Sequence, residues 1–397
     1  MPAPRTPQPP PFHPEPRLPR GFRCASRLIG LKKEGKDLAL FASDVDCAAA
    51  AVFTRNQFPG APVLLGRETI KGGTLRGIVV NSKVSNVANG ALGLANARRM
   101  AAAAATELGT TPDKVLVSST GVIGVPLPID VIEAGIGGMS ADLQADPLVG
   151  VAGIMTTDSY PKALSATVGD ATITWVAKGS GMIEPNMATM LSYIFTDAAF
   201  DAPTLDRLLR DAVRDSFNML SVDSDTSTSD TCAILANGQA GAVPEKDFAA
   251  LLRAGSIRMA ELLARDGEGA EHLLRVTVRT AATDADARAV AKSLVNSPLI
   301  KTMVHGADPN VGRILMAVGK CFDAAIRPAS TDASINGQMV VRSGKRLDFD
   351  DAAVRETLKA EVVEIEVALG VGRAQATAFG CDLTKGYIDE NAAYYSS

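Results

Sequence analysis

The sequence predicts a mixed α/β protein with largely antiparallel sheets, and three observations support this fold class. Short apolar runs of strand length recur from Gly21 onward, and several end at Gly, Asn, Pro or Ser. Helical patterns separate some of these runs, but the strict βαβ alternation of a parallel fold is missing. The chain has 397 residues, 46% of them hydrophobic, which suits two domains or one large domain.

The individual elements follow from local patterns. Strand-length runs cover residues 38–42, 49–54, 61–65, 77–81 and 115–119. An alanine-rich segment predicts a helix over 91–108. A second helix is predicted over 202–218, because Asp201 is a favourable N-cap and Pro203 falls in the first turn. A further strand and two further helices are expected at 275–281, 284–295 and 350–369, respectively.

Composition and charge exclude several classes of protein. Asp and Glu (44) slightly outnumber Lys and Arg (40), and no basic run is present, so we expect no nucleic-acid partner. The longest apolar run, 47–53, is far shorter than the roughly 20 residues that span a bilayer, so we expect no membrane partner. Five cysteines without CxxC pairs favour a reducing compartment, and we expect a soluble, cytoplasmic protein. Residues 1–20 hold nine of the 22 prolines and predict a disordered tail.

The most unusual segment runs from Lys178 to Leu191, where Gly-Ser-Gly precedes the pair Ala188-Thr189. A threonine hydroxyl is a weak nucleophile unless a base lies beside it, and cleavage of the preceding peptide bond would free an α-amino group for that role. An α-amino pKa of roughly 7.7–8.0 suits proton transfer near neutral pH. The alternative is a glycine-rich loop entering a core strand over 189–195, and spacing alone favours this alternative.

Two further motifs are candidates for catalysis or binding. The turn at 118–124 can aim a backbone N–H, helped by the Thr120 hydroxyl, at a developing oxyanion, although an ordinary strand-to-loop turn explains it equally well. Glu268 lies between Gly267 and Gly269, which suits either a carboxylate presented to a cationic ligand or a solvated turn. His305 opens a candidate ligand loop, but a lone histidine more often completes a structural hydrogen-bond network.

Taken together in chain order, these segments carry a resemblance that extends from about residue 21 to the C-terminus. The motifs are Val52-Phe-Thr-Arg-Asn56, Ser119-Thr-Gly-Val-Ile-Gly124, Met155-Thr-Thr-Asp158, Lys178-Gly-Ser-Gly-Met-Ile183, Pro185-Asn-Met-Ala-Thr-Met-Leu191, Gly267-Glu-Gly-Ala270 and His305-Gly-Ala-Asp-Pro-Asn310. In these motifs the chain resembles the ornithine acetyltransferase (glutamate N-acetyltransferase) family of arginine biosynthesis. The block from Lys178 to Leu191 is the most specific of them.

The resemblance implies a proenzyme that cleaves itself between Ala188 and Thr189. The products are an α chain, which covers 21–188 after the tail of residues 1–20, and a β chain over 189–397. The two chains stay together and are expected to form an α2β2 heterotetramer. It also implies an αββα sandwich like that of N-terminal-nucleophile enzymes, with a smaller C-terminal α/β domain. The implied reaction is ping-pong: a threonine takes acetyl from N2-acetylornithine, ornithine leaves, and glutamate accepts the acetyl group. No metal or cofactor is implied, although acetyl-coenzyme A serves some family members as an alternative acetyl donor.

Carried over residue by residue, the resemblance implies that Thr189 is the nucleophile and that Thr120 and Gly121 form the oxyanion hole. Besides Thr189, the implied substrate-binding residues are Lys178, Glu268, Asn391, Ser396 and one of the pair Thr156 and Thr157. Charge complementarity agrees with this assignment. Lys178 can neutralise a substrate carboxylate, and Glu268 can receive the side-chain ammonium of ornithine.

The chain departs from the family's usual sequence at several positions near these motifs. Lys83 adds a charge, Glu271 and His272 replace a Thr-Lys pair, and Ala393 replaces an Asp. Two alternatives therefore stay open: an acyltransferase for a different ornithine-like amino acid, and an amidohydrolase or aminopeptidase in which water replaces the amine acceptor. A catalytically silent protein is a third hypothesis, and the joint presence of the implied site residues speaks against it.

Overall fold

The computed structural model describes residues 12–184 and 190–392, and within these ranges eight strands form the larger of two sheets. These strands are β1 (Phe22–Arg27), β2 (Leu38–Phe53), β3 (Thr74–Asn81), β4 (Val115–Ser119), β5 (Lys162–Val168), β6 (Ala171–Lys178), β7 (Leu191–Ala198) and β8 (Thr231–Gly241). They lie in the order β4-β3-β2-β8-β7-β6-β5, and β1 pairs with β2. The pairs β3–β4 and β7–β8 are parallel and the others are antiparallel, which confirms the predicted sheet type.

Strand β2 divides this sheet into two halves that pack face to face. Its register against β3 shifts between Ala42 and Cys47; residues before the shift also pair with β1, and residues after it pair with β8. Across the core, the ring centroid of Phe41 lies 5.6 Å from that of Tyr193 and 5.3 Å from that of Phe195. The inner faces of both halves therefore share one apolar core.

Helices cover the outer face of each half. In chain order the α-helices of the described residues are α1 (Ala61–Thr69), α2 (Gly90–Leu108), α3 (Ile129–Ile136), α4 (Pro147–Ile154), α5 (Ala202–Asp215), α6 (Glu245–Arg265), α7 (Asp284–Val295), α8 (Pro298–His305), α9 (Val311–Gly319), α10 (Asp351–Thr357) and α11 (Lys385–Ala392), and α7 to α10 belong to the C-terminal unit described below. Helices α2 and α3 share a core with β2, β3 and β4. Helices α5 and α6 share another core with β6, β7 and β8, around the buried Trp175. The expected αββα sandwich is confirmed.

A smaller C-terminal α/β unit is built on the second sheet. Its strands are β9 (Leu273–Ala281), β10 (Asp332–Ile335), β11 (Gln338–Arg342), β12 (Lys345–Arg346), β13 (Val362–Ala368) and β14 (Ala374–Cys381). They lie in the order β12-β11-β10-β13-β9-β14, and apolar residues of α7, α8 and α9 pack with them in one core. The expected smaller α/β domain is therefore present.

Several predicted elements are confirmed with close bounds. The helix predicted over 284–295 is α7, the one over 91–108 is α2, and the strand at 275–281 lies within β9. Asp201 caps α5 as predicted, because its carboxylate accepts a hydrogen bond of 2.8 Å from the Thr204 N–H. Among the described residues, no helix combines the length and apolar character needed to cross a membrane.

The run 61–65 was predicted as a strand, and this prediction is wrong because it begins α1. Pro62 lies in the first helical turn, where a missing N–H costs nothing, and Val63 and Gly66 are buried on the helix. The turn-forming Gly60 and the proline were the signals for a helix start.

The helix predicted over 350–369 is also wrong in its second half. Helix α10 ends at Thr357, and strand β13 follows. In β13, Glu364 and Glu366 alternate with buried apolar residues, which is the period of two that a half-buried strand requires.

The disordered tail predicted over 1–20 does not extend through residues 12–20. The Phe12 ring contacts the Trp175 ring edge-on with centroids 6.3 Å apart, and Leu18 is buried. Both His13 nitrogens lie 2.9 Å from hydroxyls of β5. This segment is held because it buries apolar side chains on the sandwich; residues 1–11 lie outside the described part.

Candidate active site

A pocket lies where the ends of β4 and β6 approach the turn after α6 and the helix α11. Every sequence-predicted site residue within the described ranges lines it: Thr120, Gly121, Thr156, Thr157, Lys178, Glu268 and Asn391. The structure thus brings together residues that are up to 271 positions apart in the chain. Ala188, Thr189 and Ser396 lie outside the described residues, and the chain resumes after the first gap at Met190, which lines the same pocket.

The turn after β4 presents an unused backbone donor to the pocket. The Thr120 N–H donates to the Asn81 carbonyl, and the Val122 N–H donates to the Lys83 carbonyl. The Gly121 N–H between them donates to no other described residue. Gly121 has φ 126°, and a Cβ there would lie 2.2 Å from the Lys83 carbonyl, so this position requires glycine. A backbone N–H fixed in this way can stabilise an oxyanion.

Lys178 ends β6 and supplies the cation of the pocket. Its side chain is buried, and its Nζ lies 3.4 Å from the Thr120 Oγ1. Within the described ranges no carboxylate lies within 4 Å of this ammonium. Burial lowers the pKa of Lys178, and the nearby charge of Asp158 opposes that effect. An ammonium held this way is available to pair with a ligand carboxylate.

Besides Asp230, the pocket is lined by a second carboxylate, that of Glu268. Its Oε1 accepts a hydrogen bond of 2.7 Å from the Thr157 hydroxyl, and its Oε2 accepts one of 2.8 Å from the Asn391 amide. A Cβ on Gly181 would lie 2.1 Å from the carboxylate, so the chain packs directly against it. The hydrogen bonds come from neutral groups, and no described cation lies within 4 Å, so the negative charge stays uncompensated at close range.

The threonine pair contributes two different contacts. Thr157 places its hydroxyl on Glu268 and on the Ser180 hydroxyl, at 2.7 and 2.5 Å. Thr156 also lines the pocket, and its backbone N–H donates to Asp158. Which of the two contacts substrate stays a prediction.

Sequence reasoning missed a buried group of charges beside the pocket, which we call the ion triad: Asp158, Lys162 and Asp266. The Lys162 ammonium lies 2.8 Å from Asp158 Oδ1 and also bonds Asp266, and all three side chains are at most 3% exposed. Burial alone raises the pKa of Asp158, but the charges of Lys178 and Lys162 outweigh it, so the pKa lies below its ordinary value. Asp158 also accepts the Gly179 N–H, which connects the triad to the strand that carries Lys178.

The departures from the family's usual sequence fall at two places. The Lys83 backbone, at φ 84°, supports the Gly121 turn. Glu271 and His272 lie outside the pocket, beside Asp382. Ala393 lies outside the described residues.

Comparisons with known proteins identify the family. The ArgJ family model matches residues 23–396. The bifunctional ArgJ protein of Rhodococcoides fascians is 45% identical over 385 residues, which cover 95% of this chain and 94% of that protein. Glutamate N-acetyltransferase Oat2 of Streptomyces clavuligerus is 41% identical over 394 residues, covering 96% and 98% of the two chains.

A solved structure gives the same result. The crystal structure of the arginine biosynthesis bifunctional protein argJ from Bacillus halodurans has a TM-score of 0.50 and 37% identity, covering 52% of this chain and 100% of that chain. Family match, sequence identity and fold therefore agree. This chain belongs to the ArgJ family of arginine-biosynthesis acyltransferases.

Proposed function

We propose that this enzyme transfers an acetyl group from N2-acetylornithine to glutamate through an acetyl-threonine intermediate at Thr189. The observation that carries the proposal is a pair of charges in the pocket: the buried ammonium of Lys178 and the carboxylate of Glu268, neither of which has an ion-pair partner within 4 Å among the described residues. A second carboxylate, that of Asp230, also lines the pocket. N2-acetylornithine carries the two complementary charges, a carboxylate and a side-chain ammonium. The names of the relatives, which include glutamate N-acetyltransferase, support the choice of acceptor.

Each step of the reaction has a group to perform it. Cleavage of the Ala188–Thr189 bond frees the Thr189 α-amino group, which takes the proton from the Thr189 hydroxyl as its oxygen attacks the acetyl carbonyl. The Gly121 N–H and the Thr120 hydroxyl receive the oxyanion. The C–N bond to ornithine then breaks, and the proton returns to the departing amine. Glutamate's amine attacks the acetyl-threonine ester by the same steps in reverse and regenerates the free hydroxyl.

The mechanism also indicates which acetyl donors the enzyme can use. Because the acetyl group arrives on an amino acid, transfer between the two substrates needs no cofactor, and acetyl-coenzyme A would enter only as an alternative donor to the same threonine. We also propose that the two cleaved chains assemble as an α2β2 heterotetramer in the cytoplasm; all five cysteines are free thiols, as in reducing compartments.

The test follows both the products and the chain. Purified protein is incubated with N2-acetylornithine, with and without glutamate, and ornithine, acetylglutamate and acetate are measured. We expect acetylglutamate only when glutamate is present, and denaturing mass spectrometry should show fragments 1–188 and 189–397. Thr189→Ala should abolish both cleavage and transfer.

Three results would contradict the proposal. Acetate without acetylglutamate would indicate an amidohydrolase at the same threonine. A full-length, uncleaved and fully active enzyme would exclude the α-amino group as the base. Full transfer by Thr189→Ala would exclude that residue as the nucleophile.

A further inference from the structure

A cluster of two imidazoles and two carboxylates lies outside the pocket, and we call it the His–carboxylate cluster: Glu271, His272, His305 and Asp382. His272 Nδ1 lies 3.1 Å from Asp382 Oδ2, and His305 Nδ1 lies 3.5 Å from the same oxygen. His305 Nδ1 is also 3.5 Å from Glu271 Oε2. One ligating atom from each of Glu271, His272 and Asp382 falls within 4.8 Å of the others.

Hydrogen bonding within the cluster leaves one atom unexplained. His305 Nδ1 is buried and has no hydrogen-bond partner in the part of the chain that the structure describes. Its two nearest carboxylate oxygens, at 3.5 Å, are beyond ordinary hydrogen-bond distance. A buried nitrogen 3.5 Å from two carboxylate oxygens, with no hydrogen bond to either, is placed where it can share an ion with them.

Three of the six separations among the four candidate ligand atoms are those of a tetrahedral ion. Zinc bonds to imidazole nitrogen and carboxylate oxygen at about 2.0–2.2 Å, which places neighbouring ligand atoms of a tetrahedral site about 3.4 Å apart. The three separations at His305 and Asp382, of 3.1, 3.5 and 3.5 Å, lie on either side of that value. Imidazole and carboxylate are also the ligand types that suit Zn²⁺.

The surroundings orient the ligands. Asp382 is buried, and its Oδ1 accepts the backbone N–H groups of Glu271 and His272 at 2.9 and 3.0 Å, which aims Oδ2 at both imidazoles. Such outer hydrogen bonds hold first ligands in place at metal sites. Glu271 is 61% exposed, so an ion has a path from solvent.

We propose that Glu271, His272, His305 and Asp382 bind one Zn²⁺ ion through His272 Nδ1, His305 Nδ1 and one oxygen of each carboxylate. This differs from the expectation, drawn from the sequence, that no metal binds. The ion would join the residues just before β9 to the end of α8 and to the residue after β14. Its ligand Glu271 is three residues after Glu268 in the sequence. The ion therefore fastens the segment that carries a pocket residue to the C-terminal α/β unit.

The test is metal binding by tag-free protein after removal of metals with a chelator. Calorimetric titration with ZnCl₂ should show one site per chain, and Co²⁺ should give the intense visible absorption of tetrahedral coordination. His305→Gln should weaken Zn²⁺ binding about 100-fold or more, and Glu271→Gln about tenfold. His13→Gln is the matched control, because it removes the one histidine outside the cluster, and it should leave the affinity unchanged.

Clear outcomes overturn the proposal. Wild-type protein without saturable Zn²⁺ binding would exclude the site, and so would equal affinities in His305→Gln and His13→Gln. A weak, octahedral Co²⁺ spectrum would exclude the tetrahedral geometry. Should His305→Gln fail to fold by circular dichroism, the exposed Glu271→Gln and the wild-type Co²⁺ spectrum still decide the question.

Discussion

Two groups of buried charges lie side by side in this enzyme, and they differ in how the charges are paired. In the ion triad, Lys162 bonds both Asp158 and Asp266, and each charge has an opposite charge in contact. In the pocket, Lys178 and Glu268 have only neutral hydrogen-bond partners among the described residues. Charges that are paired within the fold, as in the ion triad, stabilise the structure beside the pocket. The charges of Lys178 and Glu268, which lack such a pair, remain available to bind ligand groups of opposite charge.

The physical basis is the cost of an unpaired buried charge. Moving an ion out of water costs several kcal/mol unless an opposite charge compensates it. In the ion triad, the contacts of Lys162 with Asp158 and Asp266 offset that cost. In the pocket, burial lowers the pKa of Lys178 although the charge of Asp158 opposes that effect, and a bound carboxylate would oppose it further.

The largest expected effect comes from breaking the triad. Lys162→Met removes the shared cation and leaves Asp158 and Asp266 buried without it, so we expect a loss of about 3–5 kcal/mol in the free energy of unfolding. Urea unfolding followed by circular dichroism measures this loss. Lys114→Met is the matched control, because its ion pair with Asp46 is 33% and 44% exposed and is expected to contribute at most about 1 kcal/mol. Equal losses of unfolding free energy in the two variants would show that the buried ion triad stabilises the protein no more than an exposed ion pair does.

The next effect tests the neutral partner of Lys178. Thr120→Ala removes a hydroxyl that lies 3.4 Å from the ammonium and that we assign to the oxyanion hole. Transfer should slow by about 10²–10³-fold, mainly in kcat, with little change in stability. Steady-state kinetics with N2-acetylornithine and glutamate gives the answer, and Thr106→Ala removes an exposed helical hydroxyl as control. Unchanged kcat would exclude Thr120 from the catalytic machinery.

Local sequence patterns predicted many of the helices and strands, but not the register of the strands or where one strand continues through a polar segment. Helix α7 could be predicted to the residue because its apolar residues repeat with helical period after a capping threonine. The runs 38–42 and 49–54 were predicted separately, yet both belong to β2. Asp44 and Asp46, which lie between them at the register shift, are exposed. A sequence does not reveal whether such a polar interruption ends a strand or bends it.

The residues of the pocket could be named from the sequence only with the help of the family resemblance. By residue type alone, the turn at Gly121 and the carboxylate of Glu268 were explained equally well by ordinary turns. The ion triad was not predicted, because Lys162 and Asp266 are 104 positions apart and only the folded chain brings them into contact. Long-range pairing of charges therefore separates what the sequence could predict from what required the structure.

A smaller effect is expected when the charge of the Glu268 carboxylate is removed. Glu268→Gln keeps the shape and the hydrogen bonds but removes the charge, so KM for N2-acetylornithine should rise at least about tenfold, or about 1.4 kcal/mol. An N-acetyl amino acid without a side-chain cation should be affected less. Glu356→Gln is the control, because this carboxylate is 73% exposed on α10 and lies outside the pocket lining. Equal losses on both donors would show that Glu268 is structural or catalytic and does not select the cation.

The smallest expected effect is a dependence of KM on pH that is caused by deprotonation of Lys178. The pKa of Lys178 lies below that of an ordinary lysine because of burial, so its ammonium is lost at a lower pH than that of an exposed lysine. KM for both amino-acid substrates should therefore rise severalfold towards alkaline pH, whereas loss of the nucleophile's free base limits kcat on the acidic side. Lys178→Arg should flatten the alkaline rise, since a guanidinium keeps its charge there. KM measured across the alkaline range tests this, and identical profiles for wild type and Lys178→Arg would show that Lys178 does not bind the substrate carboxylate through its charge.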